Sequence, residues 1–179
     1  MTDPHGLTQF IRTIPDYPKP GIQFRDITTL MGHGDAFAKT IGLFASHTEG
    51  LAVSHIAGIE ARGFILGGAL AHHLKVPFVP IRKQGKLPAE VIGEDYDLEY
   101  GTDRLEVHTD AVGEGGKVLV LDDLIATGGT ALAAISLIER LGASIAACGF
   151  IVDLPDLGGR AKLEATGKAV FTLCAFSGH

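Results

Sequence analysis

The sequence predicts an α/β fold, a mainly parallel central sheet flanked by helices. Three observations carry that expectation. Val118 to Leu121 and Ile145 to Val152 are apolar throughout, as strands covered on both faces are. Helical patterns stand between such runs, and a repeated strand–helix order favours right-handed parallel crossovers. Small residues and carboxylates gather where strands end, at Gly58 to Gly63 and at Asp122 to Thr130. That is the edge at which open α/β sheets bind ligands.

Taken in order, Leu7, Phe10, Ile11 and Ile14 recur at helical spacing and predict a short amphipathic helix over Pro4 to Ile14. Pro15, Pro18 and Pro20 stop it and leave an extended, stiff arm presenting Phe24, Arg25 and Asp26. Residues 1–34 thus form an N-terminal helix and arm. Asp35 is the expected N-cap of a helix carrying Phe37, Ile41, Leu43, Phe44 and Ala45. A strand over Leu51 to Ala57, the turn Gly58 to Gly63, a helix over Phe64 to Leu74 and a strand over Val76 to Ile81 follow. After Val118 to Leu121 come a helix over Ala131 to Leu141 ended by Gly142, and the strand through Val152. Asp156 to Ala165 reads as a last helix and Ala169 to Phe176 as a closing strand. Residues 82–116 break the pattern and are too long for a connector, so a lid or a small antiparallel flap is expected there. No linker or repeat divides the 179 residues, which read as one domain.

A net charge of −6 argues against a nucleic-acid partner held by phosphate contacts, so any anionic ligand must be gripped by local groups. Cys148 and Cys174 each lie in an apolar run, which fits buried reduced thiols and a cytoplasmic protein. No stretch is long and apolar enough for a membrane span, and the first residues lack a signal segment. The eight histidines offer no metal-ligand spacing, so no metal held by the protein alone is expected.

The chemistry concentrates in Val118-Leu-Val-Leu-Asp-Asp-Leu-Ile-Ala-Thr-Gly-Gly-Thr130. The glycines let backbone N–H groups approach an anion, and the following helix adds a partial positive charge. Asp122 and Asp123 stand beside that cradle and can accept from hydroxyls. A sugar phosphate satisfies both halves. Glu60, Ala61, Arg62 and Gly63 lie at the same sheet edge, where an arginine fork and backbone amides can grip a diphosphate; an exposed arginine on a turn is an equal alternative. Arg82, Lys83 and Lys86 could hold a diphosphate leaving group, although the residues alone favour a solvated basic patch.

The order of aliphatic strand, Asp-Asp, two apolar residues and Ala-Thr-Gly-Gly-Thr resembles the signature by which type I phosphoribosyltransferases bind 5-phospho-α-D-ribose 1-diphosphate (PRPP). Further segments resemble the adenine-using branch of that family: Ile14-Pro-Asp-Tyr-Pro-Lys-Pro-Gly-Ile-Gln-Phe-Arg-Asp-Ile-Thr28, Gly58-Ile-Glu-Ala-Arg-Gly-Phe64, Ile81-Arg-Lys-Gln-Gly-Lys-Leu-Pro88, Tyr96-Asp-Leu-Glu-Tyr-Gly101 and Gly159-Arg160. Gln23 stands where that arm is often aliphatic, and Glu60-Ala61 is a pair that varies among members.

The resemblance implies the family's fold, with a flexible lid and an N-terminal hood arm. It implies transfer of ribose 5-phosphate from PRPP to adenine, giving AMP and diphosphate. Ala126, Thr127, Gly128, Gly129 and Thr130 would then hold the 5-phosphate, and Asp122 and Asp123 the ribose hydroxyls. Glu60, Ala61, Arg62, Arg82, Lys83 and Lys86 would hold the diphosphate with its Mg²⁺, across a cis peptide at Glu60–Ala61. Phe24 would stack on adenine, the backbone of Gln23 and Arg25 would read its edge, and Glu99 would exchange its proton. A homodimer is also implied. The alternatives are a transferase for hypoxanthine, guanine or xanthine, or a PRPP-binding regulator without catalysis. The acidic composition and the absence of a basic extension count against the regulator.

Overall fold

The structure is a computed structural model that describes residues 2–97 and 101–178. The chain opens on a 3-10 turn, Thr8–Phe10, and a two-stranded antiparallel sheet of β1 (Arg12–Pro15) and β2 (Gln23–Asp26). A single turn, α1 (Thr28–Met31), leads into α2 (Gly34–Thr48). Then come β3 (His55–Ile59), α3 (Arg62–Leu74), β4 (Phe78–Lys83), β5 (Val91–Asp97) and β6 (Thr102–His108). The chain continues through β7 (Lys117–Ile125), α4 (Gly129–Arg140), β8 (Ser144–Asp153), a 3-10 turn at Pro155–Leu157, α5 (Gly159–Ala165) and β9 (Val170–Ala175). Among the described residues the main sheet has seven strands in the order β5-β6-β4-β3-β7-β8-β9. Strands β4, β3, β7, β8 and β9 are parallel, and β6 joins β4 antiparallel through Arg82 opposite Glu106.

Strand β7 shows why an unbroken aliphatic run makes an inner strand. Leu119 and Leu121 point into a core shared with Phe44, Leu66 and Leu70, beneath α2 and α3. Val118 and Val120 point to the other face, against Ala134, Leu137 and Ile138 of α4. Each of the four is fully buried, so alternate side chains meet different helices and neither face tolerates a polar residue.

Helix α3 lies close to the sheet because Gly63 and Gly67 stand on its inward face beside Leu66 and Leu70. A Cβ at Gly63 would stand 2.7 Å from the Leu121 carbonyl oxygen, and one at Gly67 2.7 Å from the Phe78 ring. That proximity brings the first turn of α3 against the end of β7.

Several elements differ from the sequence expectation. The helix over Pro4 to Ile14 is replaced by a loop, the 3-10 turn and the start of β1. Leu7 and Ile11 are buried, as the spacing required. However, the Asp3 carboxylate accepts from the Leu7 and Thr8 amides and the Thr8 hydroxyl, which fixes a loop, and Arg12 onward pairs with β2. The N-cap of α2 is His33 and not Asp35: the His33 Nδ1 accepts from the Ala36 amide at 3.3 Å. Asp35 sits in the first turn, where its charge suits the helix dipole. Strand β3 starts at His55 because Gly50 and Ala52 adopt positive φ and turn the chain. Strand β4 runs two residues further than expected and so includes Arg82 and Lys83. The segment over Asp156 to Ala165 is split by Gly158 at φ 72° into the 3-10 turn and α5. In residues 82–116, β5 and β6 form an antiparallel hairpin that extends the main sheet.

Candidate functional site

The parallel strands deliver their carboxyl ends to one edge, and a cleft of ≈ 320 Å³ lies there. Its walls come from Glu60 to Arg62 after β3, from Asp122 to Gly128 along β7 and Thr130 in α4, and from Lys83 and Tyr96; Gly129, expected at the 5-phosphate, is outside this lining. Asp122 and Asp123 stand within β7, which extends past them to Ile125, so the sheet itself fixes their backbones. Asp122 pairs in register with Phe150 of β8.

Gly128 at φ 83° turns the chain from β7 into α4 and caps the helix with no side-chain bond. The first amides of α4 therefore have no acceptor within their own helix and point toward the loop, a cradle for an anion. Gly159 braces this loop from behind, its amide donating to the Ala126 carbonyl at 2.9 Å, and Lys162 Nζ donates to the Thr127 carbonyl at 3.0 Å.

The charges are arranged in pairs. Arg62 Nε donates to the Asp123 carboxylate, which is 4% exposed. Burial pulls the Arg62 pKa down, but the nearby Asp123 and Asp122 charges outweigh it and the net shift is upward. Burial, and then the Asp123 charge, push the Asp122 carboxyl well above the usual carboxylate range. Asp122 Oδ1 also accepts from the Asp123 amide at 2.9 Å. The Arg62 guanidinium carbon lies 6.0 Å from the centre of the Phe24 ring, so one side chain spans from the acidic pair to the arm.

The remaining expected residues divide. Phe24 is half-buried on β2 between Gln23 and Arg25, with the Tyr17 ring edge-on at 5.3 Å. The Glu60–Ala61 peptide is cis. Lys83 lines the cleft and its ammonium pairs with Asp103 at 2.8 Å. Arg82 does not line it: both its Nε and Nη2 donate to Glu60 at 3.3 Å, and its Nη1 donates to the Lys86 carbonyl. Lys86 is likewise outside the cleft lining. Glu99 lies outside the described residues.

Sequence reasoning passed over Tyr96, Asp103 and Lys162. Tyr96 lines the cleft and donates to Asp103 at 3.2 Å, beside the Lys83 pair. A second hollow of ≈ 460 Å³ is lined by the hairpin residues Glu94 to Asp97 and by Thr127, Gly129 and Lys162. Only the hairpin register, which sets Tyr96 opposite Asp103, brings these groups together.

Such a cleft can hold a phosphate at the start of α4, hydroxyls at the acidic pair and a second anion at Arg62 and Lys83. The phosphoribosyl transferase domain family matches residues 33–171. The chain is 61% identical over 173 residues to an adenine phosphoribosyltransferase of Mesorhizobium japonicum, covering 97% of this chain and 96% of that one. It is similar to the solved adenine phosphoribosyltransferase of Thermoanaerobacter pseudethanolicus, with a TM-score of 0.91 and 48% identity over 95% of this chain and 98% of that one. The Saccharomyces cerevisiae adenine phosphoribosyltransferase, solved with an imino-altritol bisphosphate and adenine, matches with a TM-score of 0.89 and 40% identity, covering 93% and 96%.

Proposed function

This chain belongs to the phosphoribosyltransferase family, among its adenine phosphoribosyltransferases, and from that membership we propose how its own residues carry out the transfer. The reaction is a pentosyl transfer of purine salvage: adenine and PRPP give AMP and diphosphate. The N9–C1 bond forms, the bond from C1 to the diphosphate oxygen breaks with its electron pair leaving on diphosphate, and the N9 proton is lost.

The observation that supports the assignment best is the shared wall of the cleft: a helix start without a side-chain cap and an acidic pair, Asp123 buried and Asp122 half-buried, lie on one short stretch from Asp122 to Thr130. The 5-phosphate binds Ala126, Thr127, Gly128, Gly129 and Thr130 through backbone amides and hydroxyls. Asp122 and Asp123 accept from the ribose hydroxyls. As C1 gains positive character, a carboxylate already fixed beside the ring stabilises it without reorganising. The Asp123 carboxylate accepts from Arg62 Nε. Diphosphate competes for Arg62 and releases that charge toward the sugar, so binding of one end of PRPP primes the other.

Arg62, Lys83 and the backbone of Glu60 and Ala61 hold the diphosphate. Magnesium fits as a companion of that ligand: among the described residues no group of three or more His, Cys, Asp or Glu could enclose it, which suits an ion that keeps waters and substrate oxygens. When bound it neutralises charge on the departing diphosphate. Arg82 and Lys86, outside the lining of this cleft, suit a homodimer in which basic residues reach a neighbouring site. Phe24 stacks on adenine, and the backbone of Gln23 and Arg25 reads its 6-amino edge. Glu99 takes the N9 proton. We place the enzyme in the cytoplasm; among the described residues no helix is long and apolar enough to cross a membrane.

The test is incubation with PRPP, Mg²⁺ and each purine base in turn, with the mononucleotide identified. AMP formed from adenine is expected; IMP, GMP or XMP as the preferred product would overturn the base assignment. Crystals soaked with AMP should place its phosphorus beside Thr127 to Thr130, and any other placement removes the cradle.

A further inference from the structure

Among the described residues the sheet formed by β1 and β2 has two strands, and an isolated pair is marginal in water. Something outside it must hold Phe24 and its neighbours at a fixed distance from the cleft. Arg25 marks the attachment. Its Nη1 donates to Thr13 Oγ1 at 2.6 Å, across the register pair of β1 and β2. The other end of the guanidinium leaves the sheet: Nη2 donates to the Ser177 carbonyl at 3.3 Å, and the central carbon lies 4.5 Å from the centre of the Phe176 ring.

Phe176 is itself anchored. It is 8% exposed, packs in the core that contains Ile11, Ile27 and Leu154, and donates its amide to the Asp153 carbonyl at 3.0 Å. Two residues on, the Gly178 amide donates to Asp156 Oδ2 at 2.7 Å. The segment after β9 therefore runs from the sheet edge to the Pro155–Leu157 turn and presents one aromatic face to the arm. A cation over an aromatic face is favourable, more so where water is excluded.

We propose that Phe176 to Gly178 form a clamp that positions the base-binding arm, Phe176 fixing the Arg25 side chain and so the β2 backbone that meets the purine. This rests on the assignment of Phe24 and its neighbours to adenine. Phe176 and Asp156 are positioning residues: they act through Arg25 and touch neither substrate.

Steady-state kinetics with adenine and PRPP varied separately test it. Phe176→Leu keeps an apolar side chain of similar size but removes the aromatic face. It should raise KM for adenine about fivefold, roughly 1 kcal/mol, with kcat and KM for PRPP within about twofold of the parent. Phe176→Tyr, which restores the face, should return KM for adenine to the parent value. Asp156→Ala, at an exposed position, loosens the tether without touching the core and should raise KM for adenine about twofold. An unmoved KM for adenine in Phe176→Leu and Asp156→Ala, equal rises in both KM values, or failure of Phe176→Tyr to rescue would overturn the clamp. Phe24→Ala run in parallel separates the two failures. An unchanged KM for adenine there overturns the arm assignment, whereas a raised one beside an unmoved Phe176→Leu overturns the clamp alone.

Discussion

Gly63→Ala isolates the close approach of α3 to β7. The added Cβ would stand 2.7 Å from the Leu121 carbonyl oxygen, 3.1 Å from Asp122 Oδ1 and 3.5 Å from Asp122 Cα. A carbon accepts an oxygen neighbour at about 3.3 Å, so the first turn of α3 must withdraw by roughly 0.6 Å. Overpacking of this kind costs about 1–3 kcal/mol, offset by about 0.5–1 kcal/mol because alanine favours the helix. The net loss of about 0–2.5 kcal/mol should lower Tm by up to roughly 10 °C for a chain of this length. The function should suffer more than the fold. The turn that withdraws carries Arg62, and the nearest side-chain atom is Asp122 Oδ1, so both partners of the proposed ribose and diphosphate site move apart. A displacement of about 1 Å can cost about 10²-fold, and half that distance suggests about tenfold in kcat/KM for PRPP. Gly42→Ala on α2 is the internal control, since its Cβ would meet nothing within 4 Å. That variant should be stabilised by about 0.5–1 kcal/mol with unchanged kinetics. Calorimetry and AMP formation at varied PRPP decide the matter. Were Gly63→Ala as stable as the parent, with kcat/KM for PRPP within about twofold, the packing explanation would be refuted.

Three further predictions concern titrating groups. The Asp26 carboxyl is held down from its ordinary 3.8 to about 2, first by the Arg12 side chain and then by Thr28, so its stabilisation is complete above about pH 4 and is lost as pH falls through about 2. The undiscounted shift is about 2.4 kcal/mol, but Arg12 is 56% exposed, so about 1 kcal/mol is expected; the Tm gap between the parent and Asp26→Asn should close between about pH 4 and pH 2, and a gap that stays constant would contradict it. Asp122 has the opposite sign: a carboxyl raised by burial and by Asp123 weakens the fold as pH rises above the ordinary carboxylate range. Asp122→Asn should therefore raise Tm at neutral pH while lowering kcat, whereas a lower Tm would show that the charge supports the fold. Burial pushes both Cys148 and Cys174 up to about 12, so neither thiol should react with a thiol reagent at pH 8 until the protein unfolds; fast labelling of the native protein would disprove their burial.

How much of this was legible in the sequence follows from which forces are local. The run Val118 to Leu121 announced an inner strand because both faces of β7 are covered, and the small residues from Thr127 to Thr130 announced a tight entry to α4. Periodicity misled at Leu7 and Ile11. Their burial is real, but Asp3 and the pairing of β1 with β2 decide the backbone, and neither shows in a hydrophobic pattern. The start of β3 slipped by four residues and the bounds of β4 by two, because the turns at Gly50 and Ala52 and the extension of β4 depend on conformation, not on hydrophobicity. In the site, Asp122, Asp123 and Arg62 come together at the sheet edge where the sequence put them, although β7 runs past the acidic pair to Ile125 and Arg62 opens α3. The pairing of Arg82 with Glu60, and of Lys83 with Asp103 beneath Tyr96, belongs to tertiary register and leaves no mark in the spacing of residues.

The five parallel strands also give the molecule a quiet rim. At the end of the sheet remote from the cleft, the Gly113 to Gly116 turn enters β7 and meets the turn before β8, the Gly115 amide donating to the Gly142 carbonyl at 3.0 Å. A dye, a surface tether or an inserted peptide placed at Glu114 would ride on that rim with the full length of the strands between it and the reacting atoms, so the protein could be immobilised for repeated use while its working edge stays open to solution.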